Sequence, residues 1–211
     1  MGPRCSLSAA TPAHPSRMPP DISQAPLTTP RLLLTLLPPD AAARVLAYHL
    51  SNREHLGPVS PARPDNFFTV TWWRSRLAQD AEDSRRGLAL RLFLLSREAS
   101  PTSSPVLGSV SLNDIRRGPL QCAELGFGLD SRHQGLGLMS EAVSAVCDHA
   151  FGALGLHRLL ANHLPDNHRS AAVLRRVGFQ VEGLARQSVL IEGRWRDHVL
   201  TARVAPAPRE D

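Results

Sequence analysis

Residues 123–138, Ala-Glu-Leu-Gly-Phe-Gly-Leu-Asp-Ser-Arg-His-Gln-Gly-Leu-Gly-Leu, constrain the fold more than any other stretch of the chain. Leu125 to Leu129 is an apolar run of strand length. A short polar turn leads into Gly135-Leu136-Gly137, where an amphipathic segment with Leu138, Val143, Val146 and Phe151 among small residues begins. A strand, a glycine turn and a helix start in direct succession gather free backbone N–H groups at the positive end of a helix dipole. Such a point binds phosphate or pyrophosphate without a charged side chain.

Two phosphate loops are set aside by residue type. A dinucleotide fingerprint needs a third glycine where this chain has Ser140. A P-loop needs a lysine, and all basic residues other than histidine are arginines. On spacing alone, Arg132-His133-Gln134-Gly135-Leu136-Gly137 is either a phosphate loop of another kind or a glycine turn into an ordinary helix. A second segment narrows the choice. His157 to His163 reads as a strand, followed by Leu-Pro-Asp-Asn-His-Arg-Ser at 164–170. A short helix through Ala172, Val173, Leu174 and Val177 then ends at Gly178-Phe179.

Residues 132–137 resemble the Q/R-x-x-G-x-G/A signature of the GNAT N-acetyltransferases. Asn167-x-x-Ser170 with Gly178-Phe179 resembles the N-x-x-S…GF region of the RimJ/RimL branch, whose members acetylate protein N-termini. Thr29-Pro-Arg-Leu, Asn52-Arg-Glu-His-Leu56 and the segment Ile191 to Ala202 resemble the RimJ-type ribosomal-protein-alanine acetyltransferases in the same order. The resemblance covers about residues 27–204 and implies a GNAT fold: a mixed, mostly antiparallel sheet with two splayed central parallel strands and helices on both faces. It implies acetyl-CoA as cosubstrate, no metal, and a protein N-terminus as acceptor, as on a ribosomal protein starting with Ala or Ser. The other readings are acetylation of a small amine and a non-catalytic CoA-binding module. One departure concerns the acceptor: Gly57-Pro58-Val59-Ser60-Pro61 stands where RimJ-like chains commonly carry Pro-Trp-Glu-Pro.

The resemblance assigns roles residue by residue. Phe127, Gly128 and Leu129 lie along the pantetheine arm, with Arg132, His133, Gln134, Gly135, Leu136, Gly137 and Leu138 around the pyrophosphate. Asn167 binds the arm while capping its helix, and Ser170 protonates or hydrogen-bonds the leaving thiolate. Glu124 is the candidate base, directly or through water, since a carboxylate beside apolar Leu125 and Phe127 can have a raised pKa. The alternative for Glu124 is a solvated or ion-paired strand residue, and strict alternation turns it away from Ala123 and Leu125 unless the strand bulges. Asn52, Glu54, His55, Trp73 and Asp197 are the acceptor-binding candidates; either Trp72 or Trp73 is expected in the core.

A chain of 211 residues suffices for one core, and no apolar run approaches the ~20 residues of a membrane span. Cys5, Cys122 and Cys147 form no C-x-x-C pair, which fits a reducing cytoplasm. The net charge of +5 is spread along the chain without a stripe, so no nucleic-acid or membrane partner is expected. The expected assembly is a monomer or homodimer. Residues 1–26, rich in Pro, Ser and Ala, read as a disordered extension, 27–204 as the domain and 205–211 as a flexible tail. Met18, just upstream of the domain, is a candidate start. Further expectations are helices at Asp40–Ser51, with Ala43, Val45, Leu46 and Leu50 inward, and from Thr69 to about Asp83. Strands are expected at Arg31–Leu37, Leu88–Ser96 and Val106–Leu112, with a mobile loop at Arg97–Pro105 and a last hairpin near 181–191 and 195–203.

Overall fold

The computed structural model describes residues 26–207. The expected extension, Met18 included, and the tail lie outside the described residues except for Pro26 and residues 205–207. Strands β1 (Leu27–Thr28) and β2 (Leu32–Thr35) precede helices α1 (Ala42–Ser51), α2 (Arg53–Leu56) and α3 (Val70–Arg85). Then come β3 (Leu90–Ser96), β4 (Gly108–Arg116), β5 (Cys122–Leu129), α4 (Leu138–Phe151), β6 (Arg158–His163) and α5 (His168–Arg176). A long hairpin, β7 (Gln180–Ile191) and β8 (Arg194–Val204), ends the described fold.

The strands form one sheet in the order β1-β2-β3-β4-β5-β6-β8-β7. Every neighbouring pair is antiparallel except β5 and β6, which run parallel. Alternation along β3 shows why helices cover both faces. Leu90, Leu92 and Leu94 join the core under α4, whereas Phe93 and Leu95 join the core with α1 and α3. On α4, Leu138, Val143 and Val146 are each at most 8% exposed. Burying side chains of that size stabilises by about 1.5–3 kcal/mol each.

Four expectations change. The inner face of α1 is Ala42, Val45 and Tyr48, not Ala43 and Leu50; Leu50 is 49% exposed. The helix starts two residues later than its Pro-Asp entry suggested, behind a tight turn at Pro39–Ala41. Strand β4 runs on to Arg116 through an irregularity after Asn113, where Asp114 takes φ 48°. The loop expected to be mobile is fastened at its end: Arg44 Nη1 donates to the Ser104 carbonyl at 2.7 Å, and Ser104 and Val106 are buried.

The feature that positions the site is where β5 and β6 part. Their parallel register holds for Cys122–Arg158, Ala123–Leu159 and Glu124–Leu160 only, while β5 continues to Leu129 and β6 to His163. Beyond Glu124 the β5 edge that faced β6 has no strand partner there, and its backbone donors and acceptors are open to a ligand.

Candidate active site

The glycine turn is built as its residues require. Gly135 and Gly137 take φ 77° and 76°, values that strain any residue carrying a Cβ. Gly137 caps α4 without a side chain, so the first-turn N–H groups point out of the helix unpaired, at its positive pole. A Cβ built on Gly135 meets nothing within 4 Å, so the turn is open in front of those donors. Neutral donors around an open concavity are what a pyrophosphate needs.

Paired carboxylates hold the turn at both ends. Asp130, 1% exposed, accepts from Arg132 Nε at 3.0 Å, Arg132 Nη2 at 2.9 Å and the Arg132 N–H at 2.9 Å. It also accepts from Asn52 Nδ2 at 3.0 Å and lies 3.3 Å from His133 Nδ1. The Arg132 side chain, against the opposing effect of burial and with help from Asn52 and His133, holds the Asp130 carboxyl far below the usual range. On the other side, Glu141 accepts from Thr29 Oγ1 at 2.6 Å, the Arg31 N–H at 2.9 Å and Arg31 Nε at 2.7 Å. Burial pushes the Glu141 carboxyl up, but those hydrogen bonds and the Arg31 charge bring it below its ordinary value. Arg31 Nη1 completes the brace by donating to the Leu136 carbonyl at 2.8 Å.

A cleft of about 440 Å³ opens between this turn, the end of β5, α2 and α5. Phe127, Gly128 and Leu129 form its strand side, and Gln134, Gly135, Gly137, Leu138, Met139 and Ser140 its loop side. Asn167 and Ser170 line it from α5. Asn167 Oδ1 accepts from the Ser170 N–H at 3.1 Å, so Asn167 caps α5 and fixes the turn that carries the serine. His55 and Leu56 line it from α2, and His55 Nε2 accepts from Gln134 Nε2 at 2.7 Å. Even-numbered positions of β5 face α1 and α2: a Cβ on Gly128 would stand 3.3 Å from Tyr48 Oη and 3.6 Å from Leu56.

The structure thus brings together Phe127, Gly128, Leu129, Gln134, Gly135, Gly137, Leu138, Asn167, Ser170 and His55. Leu136, 57% exposed, lies at the outer tip of the turn. Arg132 and His133 lie on the same turn, but their side chains close on Asp130 instead of the cleft. Glu124 is exposed and has no ion-pair partner among the described residues; no bulge interrupts β5, so it shares the face of Gly126 and Gly128. Glu54 is exposed on α2, one residue before His55.

Two acceptor-site expectations, Asn52 and Trp73, need correction. Asn52 is 1% exposed and its amide is committed: Nδ2 also donates to the Tyr48 carbonyl, and Oδ1 accepts from the Ser131 N–H at 2.9 Å. It ties the end of α1 to the turn after β5. Trp73 is 2% exposed and stacks on His49 at 4.5 Å, so it is the core member of the tryptophan pair. Asp197 Oδ1 accepts from the Gln187 N–H at 2.8 Å, pinning the irregularity of β7 where Gln187 takes φ 46°. Sequence reading missed Asp130, Arg31 and Glu141. A lone acid at a strand end and another in a helix first turn were the available signals.

Residues 31–180 match the acetyltransferase (GNAT) domain family. The ribosomal protein uS5-alanine N-acetyltransferase of Escherichia coli is 35% identical over 180 residues, 85% of this chain and 91% of that protein. The solved ribosomal-protein-S5-alanine acetyltransferase of Vibrio fischeri is similar at TM-score 0.81 and 33% identity, over 87% of this chain and 98% of its own. RimJ of Mycobacterium smegmatis, solved in complex with CoA-disulfide, is similar at TM-score 0.76 and 29% identity, over 82% of each chain.

Proposed function

The chain belongs to the GNAT acetyltransferase family as an acetyl-CoA-dependent N-acetyltransferase, and from that premise we propose that it acetylates the N-terminal α-amine of a ribosomal protein beginning with Ala or Ser. The observation that carries this reading is the parting of β5 from β6 beside an open glycine turn, with Asn167 and Ser170 on the facing wall. Relatives named for ribosomal-protein alanine acetylation supply the acceptor class.

Acetyl-CoA supplies an activated acyl thioester, and the cleft has the parts to hold it. Backbone groups of Phe127, Gly128 and Leu129 hold the pantetheine arm as a further strand would. The N–H groups from Gln134 to Leu138 hold the pyrophosphate, with the Arg132 and His133 side chains keeping the turn in shape through Asp130. Fixing the thioester beside the amine removes much of the entropic barrier. Ser170 holds a proton at Oγ for the departing sulfur, on a turn fixed by Asn167.

The amine makes a modest demand. An α-amine has a pKa of about 7.7–8.0, against about 10.4 for a lysine, so a useful fraction is neutral near pH 7. Glu124, on the β5 face toward α1 and α2, takes the remaining proton directly or through water. His55 and Glu54 border the acceptor, beside the altered 57–61 loop. The reaction belongs to the cytoplasm, where ribosomal proteins are made and where thiols such as Cys122 and Cys147 stay reduced. Coenzyme A release with peptides that begin with Ala, Ser or Met, set against small amines, tests the proposal. Turnover confined to small amines would overturn the acceptor assignment.

A further inference from the structure

Three guanidiniums stand at the loop end of the cleft, and two are already neutralised. Arg31 closes on Glu141 with Nη2 2.6 Å from the carboxylate, and Arg132 closes on Asp130 at 2.9 Å. Arg176 has no carboxylate partner among the described residues; its Nη1 donates to Ser140 Oγ at 3.0 Å. Both members of that pair line the cleft. Ser140 belongs to the first turn of α4 and Arg176 to the last turn of α5, so the pair bridges the two helices at the rim, outside the glycine turn itself. Arg169 also lines the cleft, but it sits beside Ser170, seven residues and so about 10 Å back along α5.

The charge of the ligand makes this pair informative. The N–H groups of the turn suit a pyrophosphate, but they are neutral, and the side-chain charges nearest them are spent on Asp130 and Glu141. Coenzyme A carries a third phosphate, a monoester on its ribose that is close to dianionic at neutral pH. A guanidinium held in place by a hydroxyl, with the rest of its fork uncommitted, is the partner such a group takes.

We propose that Arg176 and Ser140 form a second phosphate site, separate from the glycine turn, which takes the ribose 3′-phosphate and lets the enzyme distinguish coenzyme A from its 3′-dephospho form. The inference rests on the acetyl-CoA reading above.

Calorimetric titration of the full-length protein with coenzyme A and with 3′-dephospho-coenzyme A tests it. The unmodified protein should bind coenzyme A roughly tenfold more tightly than the dephospho form, the value of one charge-assisted hydrogen bond. Arg176→Gln should remove that preference, weakening coenzyme A roughly tenfold and leaving the dephospho form within about twofold. Ser140→Ala, which frees the guanidinium without deleting it, should erode the preference in the same direction. Equal loss for both nucleotides in Arg176→Gln would assign the guanidinium to the pyrophosphate and overturn the proposal. So would an unmodified protein with no preference. Failure to bind either nucleotide would instead sink the acetyl-CoA reading on which the site depends.

Discussion

At the residue scale, a buried carboxylate governs the shape of the site. Asp130 gathers Asn52, Arg132 and His133 around the end of β5, so Asp130→Ala leaves the Asn52 amide short of a partner in the interior. That should cost on the order of 2 kcal/mol of stability, read from denaturant unfolding. The pH dependence has a definite sign. The folded carboxyl lies below its unfolded value of about 3.9, so its contribution is complete above that value and drains away as pH falls below it. His49 acts over a higher window. Burial first, then the charges of Arg63 and Arg91, hold its imidazole down at about 3 against about 6.5 unfolded. The unfolded chain therefore takes up the proton first, and stability falls as pH drops from about 6.5 towards 3. His49→Phe, which keeps a ring on Trp73, should flatten Tm against pH across that window; an unchanged slope would remove His49 from the account. With the proposed role of its hydroxyl at the leaving group, Ser170→Ala should lower kcat by roughly 10²-fold with little change in the KM for acetyl-CoA.

At the scale of elements, β5, its glycine turn and α4 were legible because their signals are contiguous: an apolar strand, two glycines at positive φ and an amphipathic helix. The N-x-x-S turn was legible for the same reason. What braces them was not. Arg31 meets Glu141 from 110 positions away, Asn52 meets Asp130 from 78, and Gln134 meets His55 from 79. Local pattern carries no information about such pairings. It also misjudged Asn52 and Trp73, because a polar or aromatic residue at a helix end reads alike whether it meets a substrate or the core. The phase of α1 slipped because a tight turn moved its start. The glycine turn gives an element-scale expectation. Gly137→Ala places a Cβ at φ 76°, which should cost about 1 kcal/mol of local strain and tilt the donors at the start of α4. The KM for acetyl-CoA should then rise by tenfold or more while the helical circular dichroism is retained.

At the scale of the whole molecule, the sheet acts as a frame with one opening. Apolar layers on both faces lock β2 and β3, and the divergence of β5 from β6 leaves the one strand gap among the described residues that the cleft adjoins. One side of that gap carries the glycine turn and the other carries Ser170, so the proposed function places cosubstrate binding and departure of the thiol on separate elements. In the proposed reading the acceptor enters from the side of α2, where the 57–61 loop differs from that of RimJ-like chains. The most direct test of acetyl transfer to a protein N-terminus is therefore coenzyme A release from acetyl-CoA, with Ala-, Ser- and Met-initiated peptides measured beside a panel of small amines. Turnover on the Ala- or Ser-initiated peptides and little on the small amines is the expected result; turnover on small amines alone would contradict it.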